Sequence, residues 1–235
     1  GQVLERVATS GFDAGYNLSG AVALATAAGA ATGDSQFLLT ADGGSLGLRS
    51  FRIDGQSGAL SLVDTFGPDQ GLGLTTPTAL QVFTAFGNRW VILGAAGSSS
   101  LSVLQLGDDG SLCLKDHLID NLGTRFSRQT ALEVVQVEDH VFVVAAGSDD
   151  GLSLFRLGPA GQLIHLQSLP HDTGLGLQNV SALEATVMGD QIQIFASSQG
   201  AAGIAWFSIE LNGLGTVIEA NNHDANLTGT NGDDL

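Results

Sequence analysis

The sequence predicts an all-β chain folded as a β-propeller, on three observations: a repeat of about 52 residues, four short β runs in every copy, and a turn-rich aliphatic composition. The third run of each copy is the easiest to align. It reads Leu48-Arg-Ser-Phe-Arg-Ile53, Leu101-Ser-Val-Leu-Gln-Leu106, Leu152-Ser-Leu-Phe-Arg-Leu157 and Ile204-Ala-Trp-Phe-Ser-Ile209, so the copies start 53, 51 and 52 residues apart. With 33 Gly, 14% charged residues and 43% hydrophobic residues, the chain is neither disordered nor fibrous. A four-stranded sheet cannot bury both faces alone, and stacking neighbours around an axis solves that problem. An all-β sandwich is the rival fold, but it gives no reason for the period.

The elements follow in order within each unit. First strands are expected over 21–25, 78–84, 130–137 and 181–187, and three of them share Ala-Leu (Ala79-Leu80, Ala131-Leu132, Ala182-Leu183). Second strands are expected over 36–40, 90–94, 140–146 and 191–196; the run His140-Val-Phe-Val-Val-Ala-Ala146 is apolar on both faces, as an inner strand covered on both sides requires. Third strands are the runs quoted above, and fourth strands are expected over 59–66, 111–118, 162–169 and 214–219. Acidic or glycine turns such as Glu138-Asp139, Gly147-Ser-Asp-Asp-Gly151 and Gly158-Pro-Ala-Gly161 separate them, which gives an antiparallel meander. The first unit carries an insertion, 27–35, whose Gly29 and Gly33 favour a loop over a helical turn.

The register also places residues 1–10. Gly1-Gln-Val-Leu-Glu-Arg-Val-Ala-Thr9 aligns with Gly161-Gln-Leu-Ile-His-Leu-Gln-Ser-Leu169, a fourth strand. The expected organisation is therefore an orphan outer strand at 1–10 and four complete blades over about 20–66, 78–118, 130–169 and 181–219, all within a propeller region 1–224. Either these blades are part of a larger ring of seven or eight, with earlier blades missing, or the ring closes with a partner. A closed four-bladed ring with the orphan strand as clasp is a further possibility.

Net charge is −16, with Lys115 the single lysine. Such a surface repels phosphate backbones and excludes nucleic acid as the natural partner. It suits an extracellular protein or one that meets divalent cations. No run of 18 apolar residues exists, so a membrane-spanning helix is not expected. The lone Cys113 can form no disulfide within the chain.

One polar position recurs with the blades. Asp13, Asp69, Asp120, Asp172 and Asp224 each follow a fourth strand, in the connector that leads to the next blade on the face where propellers bind ligands. A ring of carboxylates there could gather a divalent cation, with Asp120 and Asp172 as its candidates. Alternatively each Asp satisfies backbone N–H groups of its own turn, and regular recurrence weighs toward that reading. His171-Asp172 and His223-Asp224 repeat as pairs, but adjacency in sequence does not make side chains converge, and both read as surface-loop residues. His140 and His165 lie on strands and read as structural, as do Trp90 and Trp206. No nucleophile elbow, zinc helix or Cys-x-x-Cys motif is present.

After Asp224 the pattern changes. Leu227-Thr-Gly-Thr-Asn-Gly-Asp-Asp-Leu235 resembles the opening of a hemolysin-type (RTX) calcium-binding repeat, with Gly229, Gly232 and Asp234 at matching positions and Thr230 in place of a glycine. The resemblance covers nine of 235 residues and makes 225–235 a linker and the start of such an array. It implies calcium as cofactor, held by Asp234 and the glycine turns only if further repeats follow. It also implies a bacterial protein at the cell surface or secreted by the type I route. The blades themselves are similar to lactonase-like propellers in pattern only. Two functions follow. The first is a non-catalytic recognition or scaffold propeller of a secreted RTX-type protein, its axial face binding an extracellular protein or glycan through connectors bearing Asp13, Asp69 and Asp224. The alternative is a lactonase-like or other hydrolase with an axial divalent-metal site.

Overall fold

The computed structural model describes residues 21–28, 36–42, 47–172 and 174–211. Among them, strands form four antiparallel sheets, each in simple meander order. Blade one is β1 (Ala21–Ala28), β2 (Gln36–Asp42), β3 (Gly47–Ile53) and β4 (Leu60–Phe66). Blade two is β5 (Pro77–Ala85), β6 (Asn88–Ala95), β7 (Ser100–Leu106) and β8 (Leu112–Ile119). Blade three is β9 (Ala131–Val137), β10 (His140–Ala146), β11 (Gly151–Leu157) and β12 (Leu163–Pro170). Blade four shows β13 (Val180–Met188), β14 (Gln191–Ser198) and β15 (Ile204–Glu210). Among the described residues the strands fall where the sequence places them, with ends off by up to three residues, chiefly in β1, which runs on to Ala28 and takes in the first two residues of the expected insertion 27–35. The expected strands over 1–10 and 214–219, and the calcium repeat over 225–235, lie outside the described residues.

The first strands β1, β5, β9 and β13 lie beside one another from blade to blade, whereas the outer strands β4 and β8 barely touch. The sheets are therefore arranged as wedges around an inner edge, which is propeller geometry. One apolar cluster fills each gap between blades. Phe37 and Leu39 of blade one meet Val91, Leu93 and Leu104 of blade two. Trp90, Ile92 and Val103 meet Val141, Val143 and Phe155. Phe142, Val144 and Leu152 meet Ile192, Ile194 and Ala196. A connector side chain joins each gap as well: Leu72, Phe126 and Leu177, all fully buried. Truncating any such residue to Ala costs about 2–5 kcal/mol, because the blades are relatively rigid and collapse poorly onto a void.

The second strands explain the pattern. Every residue of β10 is buried, since blade two covers one face and blade four the other. The β5–β6 turn consists of Phe86 and Gly87 with φ of 53° and 69°, the two positive values that a tight hairpin needs. The fourth strands carry a repeated bulge that skips Val63, Lys115 and Leu166. Beside the bulges, Asp64 accepts a bond from the Leu112 N–H (2.8 Å) and Asp116 from the Leu163 N–H (2.7 Å). Each carboxylate thus ties the outer edge of one blade to the next.

Candidate functional site

The connectors and the turns between second and third strands form one face of the molecule. Backbone bonds join them: Ser148 N–H donates to Ser127 C=O at 2.7 Å, and His171 N–H donates to Asp150 C=O at 2.9 Å. Gly147 has no room for a side chain, because a Cβ there would stand 2.0 Å from the Ser127 carbonyl oxygen. The turn of blade three therefore holds both adjoining connectors. Asp149 accepts from the Ser127 N–H (3.1 Å) and Asp150 from the Asn179 N–H (2.9 Å).

Two of the recurring aspartates, Asp120 and Asp172, are used within this scaffold. Asp120 accepts from Thr124 Oγ1 at 2.7 Å and from the Phe126 N–H at 3.1 Å, which fixes the connector that delivers Phe126 to the core. Asp172 accepts from the N–H groups of Gly174 (2.8 Å) and Leu175 (3.1 Å), an Asx-turn. Asp69 lies exposed in a single 3₁₀ turn, Pro68–Gln70. Asp13 and Asp224 lie outside the described residues, as do Gly229, Gly232 and Asp234. Among the described residues no three His, Cys, Asp or Glu side chains gather where they could hold a metal ion. His171 does not converge with Asp172 either; its Nδ1 accepts from the Leu177 N–H at 3.1 Å, which positions another core leucine.

Asp120 acts on a neighbour the sequence did not single out. The Asp149 carboxyl is pushed up by burial first and by the Asp120 charge second, while the Ser127 N–H and Arg125 pull it back. One expectation about packing residues changes. His140 is buried on β10, with Nδ1 bonded to Arg156 Nη2. Trp90 packs in the core and donates to Ala85 C=O at 3.0 Å, but Trp206 is mostly exposed and stacks on Phe195, ring centroids 6.2 Å apart. The reason is positional: Trp206 stands on the far side of the last described blade.

A second set of polar side chains occupies the inner strands. Pairing with the second strands makes Ala25, Gln81, Glu133 and Glu184 equivalent, since they face Leu39, Ile92, Val144 and Phe195 respectively. Gln81 Nε2 reaches across to blade three and donates to Leu132 C=O and to Glu133 Oε2, both at 3.1 Å. Burial raises the Glu133 carboxyl above its ordinary value; the Gln81 bond opposes this and the negative charge of Glu184 adds to it. Unlike the connector aspartates, this position changes from blade to blade. That asymmetry was available in the sequence, one residue beyond the repeated leucine, but only the register shows that it falls on the inner edge. Nearby, buried Gln129 accepts from Thr78 Oγ1, so the inner edge of the second gap is polar over several residues.

Comparisons with known proteins agree on the fold. No protein-family model matches the chain, and no curated protein matches its sequence. Among solved structures, a protein from Lactobacillus plantarum is similar, with a TM-score of 0.52 and 17% identity over 81% of this chain and 55% of that one. The periplasmic gluconolactonase of Pseudomonas aeruginosa is similar with a TM-score of 0.51 and 19% identity, over 74% of this chain and 51% of its own. An exo-β-1,3-galactanase from Clostridium thermocellum follows at a TM-score of 0.48 and 14% identity, over 80% of this chain and 45% of that one. The chain spans about half the length of the structures it matches. At these identities the likeness concerns architecture, and propellers host many activities. Among the described residues no helix is long and apolar enough to cross a membrane.

Proposed function

We propose that this chain is part of a propeller hydrolase, with Glu133 and Glu184 at the inner edge of blades three and four as its acid and base, acting on a sugar-derived lactone. One observation carries the reading: a half-buried carboxyl raised by desolvation, bonded to Gln81, and close enough to a second, exposed carboxylate to respond to its charge. A carboxyl raised by burial beside a second, solvent-exposed carboxyl can divide acid and base roles with it. Glu184 takes a proton from water as its oxygen attacks the ester carbon. Glu133 gives its proton to the ring oxygen as the C–O bond breaks. The similar gluconolactonase supports the substrate class, and it favours this reading over a recognition scaffold.

The test is turnover of glucono-δ-lactone by the purified protein, with aryl galactosides as a second panel. Glu133→Gln and Glu184→Gln should each lower the rate about 10²–10⁴-fold, the usual weight of a positioned acid or base, with the unfolding midpoint little changed. No turnover of either panel, or turnover that survives the double replacement, sinks the hydrolase reading; galactoside turnover alone overturns the lactone as substrate.

A further inference from the structure

Strands β5 and β9 each end their sheet on the inner side, so one flank of their backbone has no ladder partner. At the gap between blades two and three a side chain serves that flank. Gln81 of β5 sends its Nε2 to the Leu132 C=O of β9 and to Glu133 Oε2, each at 3.1 Å. The Leu132 carbonyl can only accept, so the amide must present its nitrogen there; the reverse orientation would set two acceptors face to face. Both N–H bonds of one nitrogen are then in use, one on the backbone and one on the carboxyl. The backbone contact thus fixes what Glu133 meets, and it meets a donor.

A donor facing Oε2 leaves no place for a proton on that oxygen. We propose that Gln81 is the positioning residue of Glu133, holding Oε2 so that the neutral carboxyl carries its proton on Oε1 alone. Ionised Glu133 keeps the same bond and gains from it, since a hydrogen bond to a charged acceptor is the stronger one. Gln81 therefore eases the departure of the proton as well as directing it. The role in turnover rests on the reading of Glu133 as the acid of a lactone hydrolase: Oε1 is then the oxygen that protonates the leaving ring oxygen.

Repeat symmetry argues for a role beyond blade stacking. The equivalents of Gln81 are Ala25, Glu133 and Glu184. Ala25 has no polar side chain and an ionised glutamate only accepts, so among the described blades Gln81 alone can donate to its successor. A tie needed for stacking would recur, as the Asp64 and Asp116 contacts do at the outer strands. The surroundings of Glu133 leave few other groups to set its proton. Burial holds the proton on, the Gln81 bond opposes this, and the Glu184 charge adds to it. Strand β5 carries no charged residue, β13 only Glu184, and β10 only His140, four positions from the Val144 that pairs with Glu133.

Carbon-13 NMR of the purified chain, labelled in its glutamate carboxyls, tests the proposal, with Glu133 assigned by the signal missing from Glu133→Gln. Gln81→Met keeps the shape without the donor and should raise the titration midpoint of Glu133. Gln81→Glu should raise it further, and Gln81→Lys, a donor with a charge, should bring it below the native value. Turnover of glucono-δ-lactone should fall about 10–100-fold in Gln81→Met, the weight of a hydrogen bond to a charged group. The upper limb of its pH profile should move in step with the midpoint, with circular dichroism unchanged. A midpoint that stays in place in both Gln81→Met and Gln81→Glu overturns the proposal. So does a displaced midpoint with rate and pH profile as in the native chain. If the native chain hydrolyses no lactone while the midpoints move in this order, the hydrolase reading falls and the hold of Gln81 on Glu133 stands.

Discussion

The Asp116 carboxylate accepts the Leu163 N–H at 2.7 Å across the gap between blades two and three. Its other oxygen accepts the N–H of His117, the next residue, at 2.8 Å. Asp64 repeats both contacts one blade earlier, with Leu112 and with Thr65. The bulge makes this possible: by skipping one residue it turns the Asp side chain away from its own ladder and toward the neighbour. The outer strands contact each other little, so these bonds are a principal tie at the rim.

Asp116→Ala should therefore lower unfolding free energy by about 2 kcal/mol, the range for a hydrogen bond to a charged group. Asp116→Asn keeps an acceptor oxygen and should lose less. Asp64→Ala acts at a separate interface, so the double variant should show the sum of the two losses. Urea unfolding of the four proteins measures this; a strongly sub-additive pair would mean that the two gaps open together.

Two glycines with left-handed backbone give a contrast. At Gly161, with φ of +91°, an added Cβ would lie 2.5 Å from Trp90 and 2.7 Å from Lys115 Cβ. Gly203, with φ of +105°, has nothing within 4 Å. Gly203→Ala should cost only the backbone strain, about 1 kcal/mol. Gly161→Ala adds overpacking against a buried indole and should lose about 1–3 kcal/mol more. Thermal unfolding of the two variants side by side checks the difference.

These contacts show what could be read from the chain and what could not. The blades, strand order and inner position of the second strands follow from period and apolar pattern, because both report which faces are covered. That Asp120 and Asp172 accept N–H groups of their own connectors follows from recurrence, although only Asp172 does so as an Asx-turn. Asp64 and Asp116 could not be found this way: their function depends on a bulge, and a bulge leaves no mark in hydrophobic alternation. Glu133 and Glu184 were visible as residues, but their nearness depends on how adjacent inner strands align. Trp206 looks like a packing residue because its counterparts Ser50 and Val103 are buried, but its ring lies on the exposed face of blade four.

Calcium gives a third prediction. Residues 227–235 supply at most half of an RTX-type site, and a hard cation needs six to eight oxygens. Among the described residues no cluster supplies them instead. Millimolar calcium should thus leave the melting temperature of this chain within error of its value in chelator. A saturable rise would show a complete site that neither the motif nor the described blades explain.

His140 sets a pH dependence whose sign can be worked out. Burial is the first cause that lowers its affinity for protons, and the Arg156 charge the second; Asp139 and Glu138 pull the other way without prevailing. Nδ1 is engaged by Arg156 Nη2, so the folded ring is neutral and protonation would set two cations together. The unfolded chain takes up the proton near the ordinary value of 6.5, before the folded one does. Stability from this group is therefore full above that value and declines as pH falls toward the lower folded value. The slope cannot exceed about 1.4 kcal/mol per pH unit for one proton. Glu133 and Asp149, both raised, act with the opposite sign, but their windows begin at the lower carboxyl values of 4.5 and 3.8. His140→Gln, whose amide oxygen can still accept from Arg156, should flatten the stability profile just below pH 6.5 while leaving it near native at neutral pH. An unchanged slope in that variant would assign the dependence to another histidine.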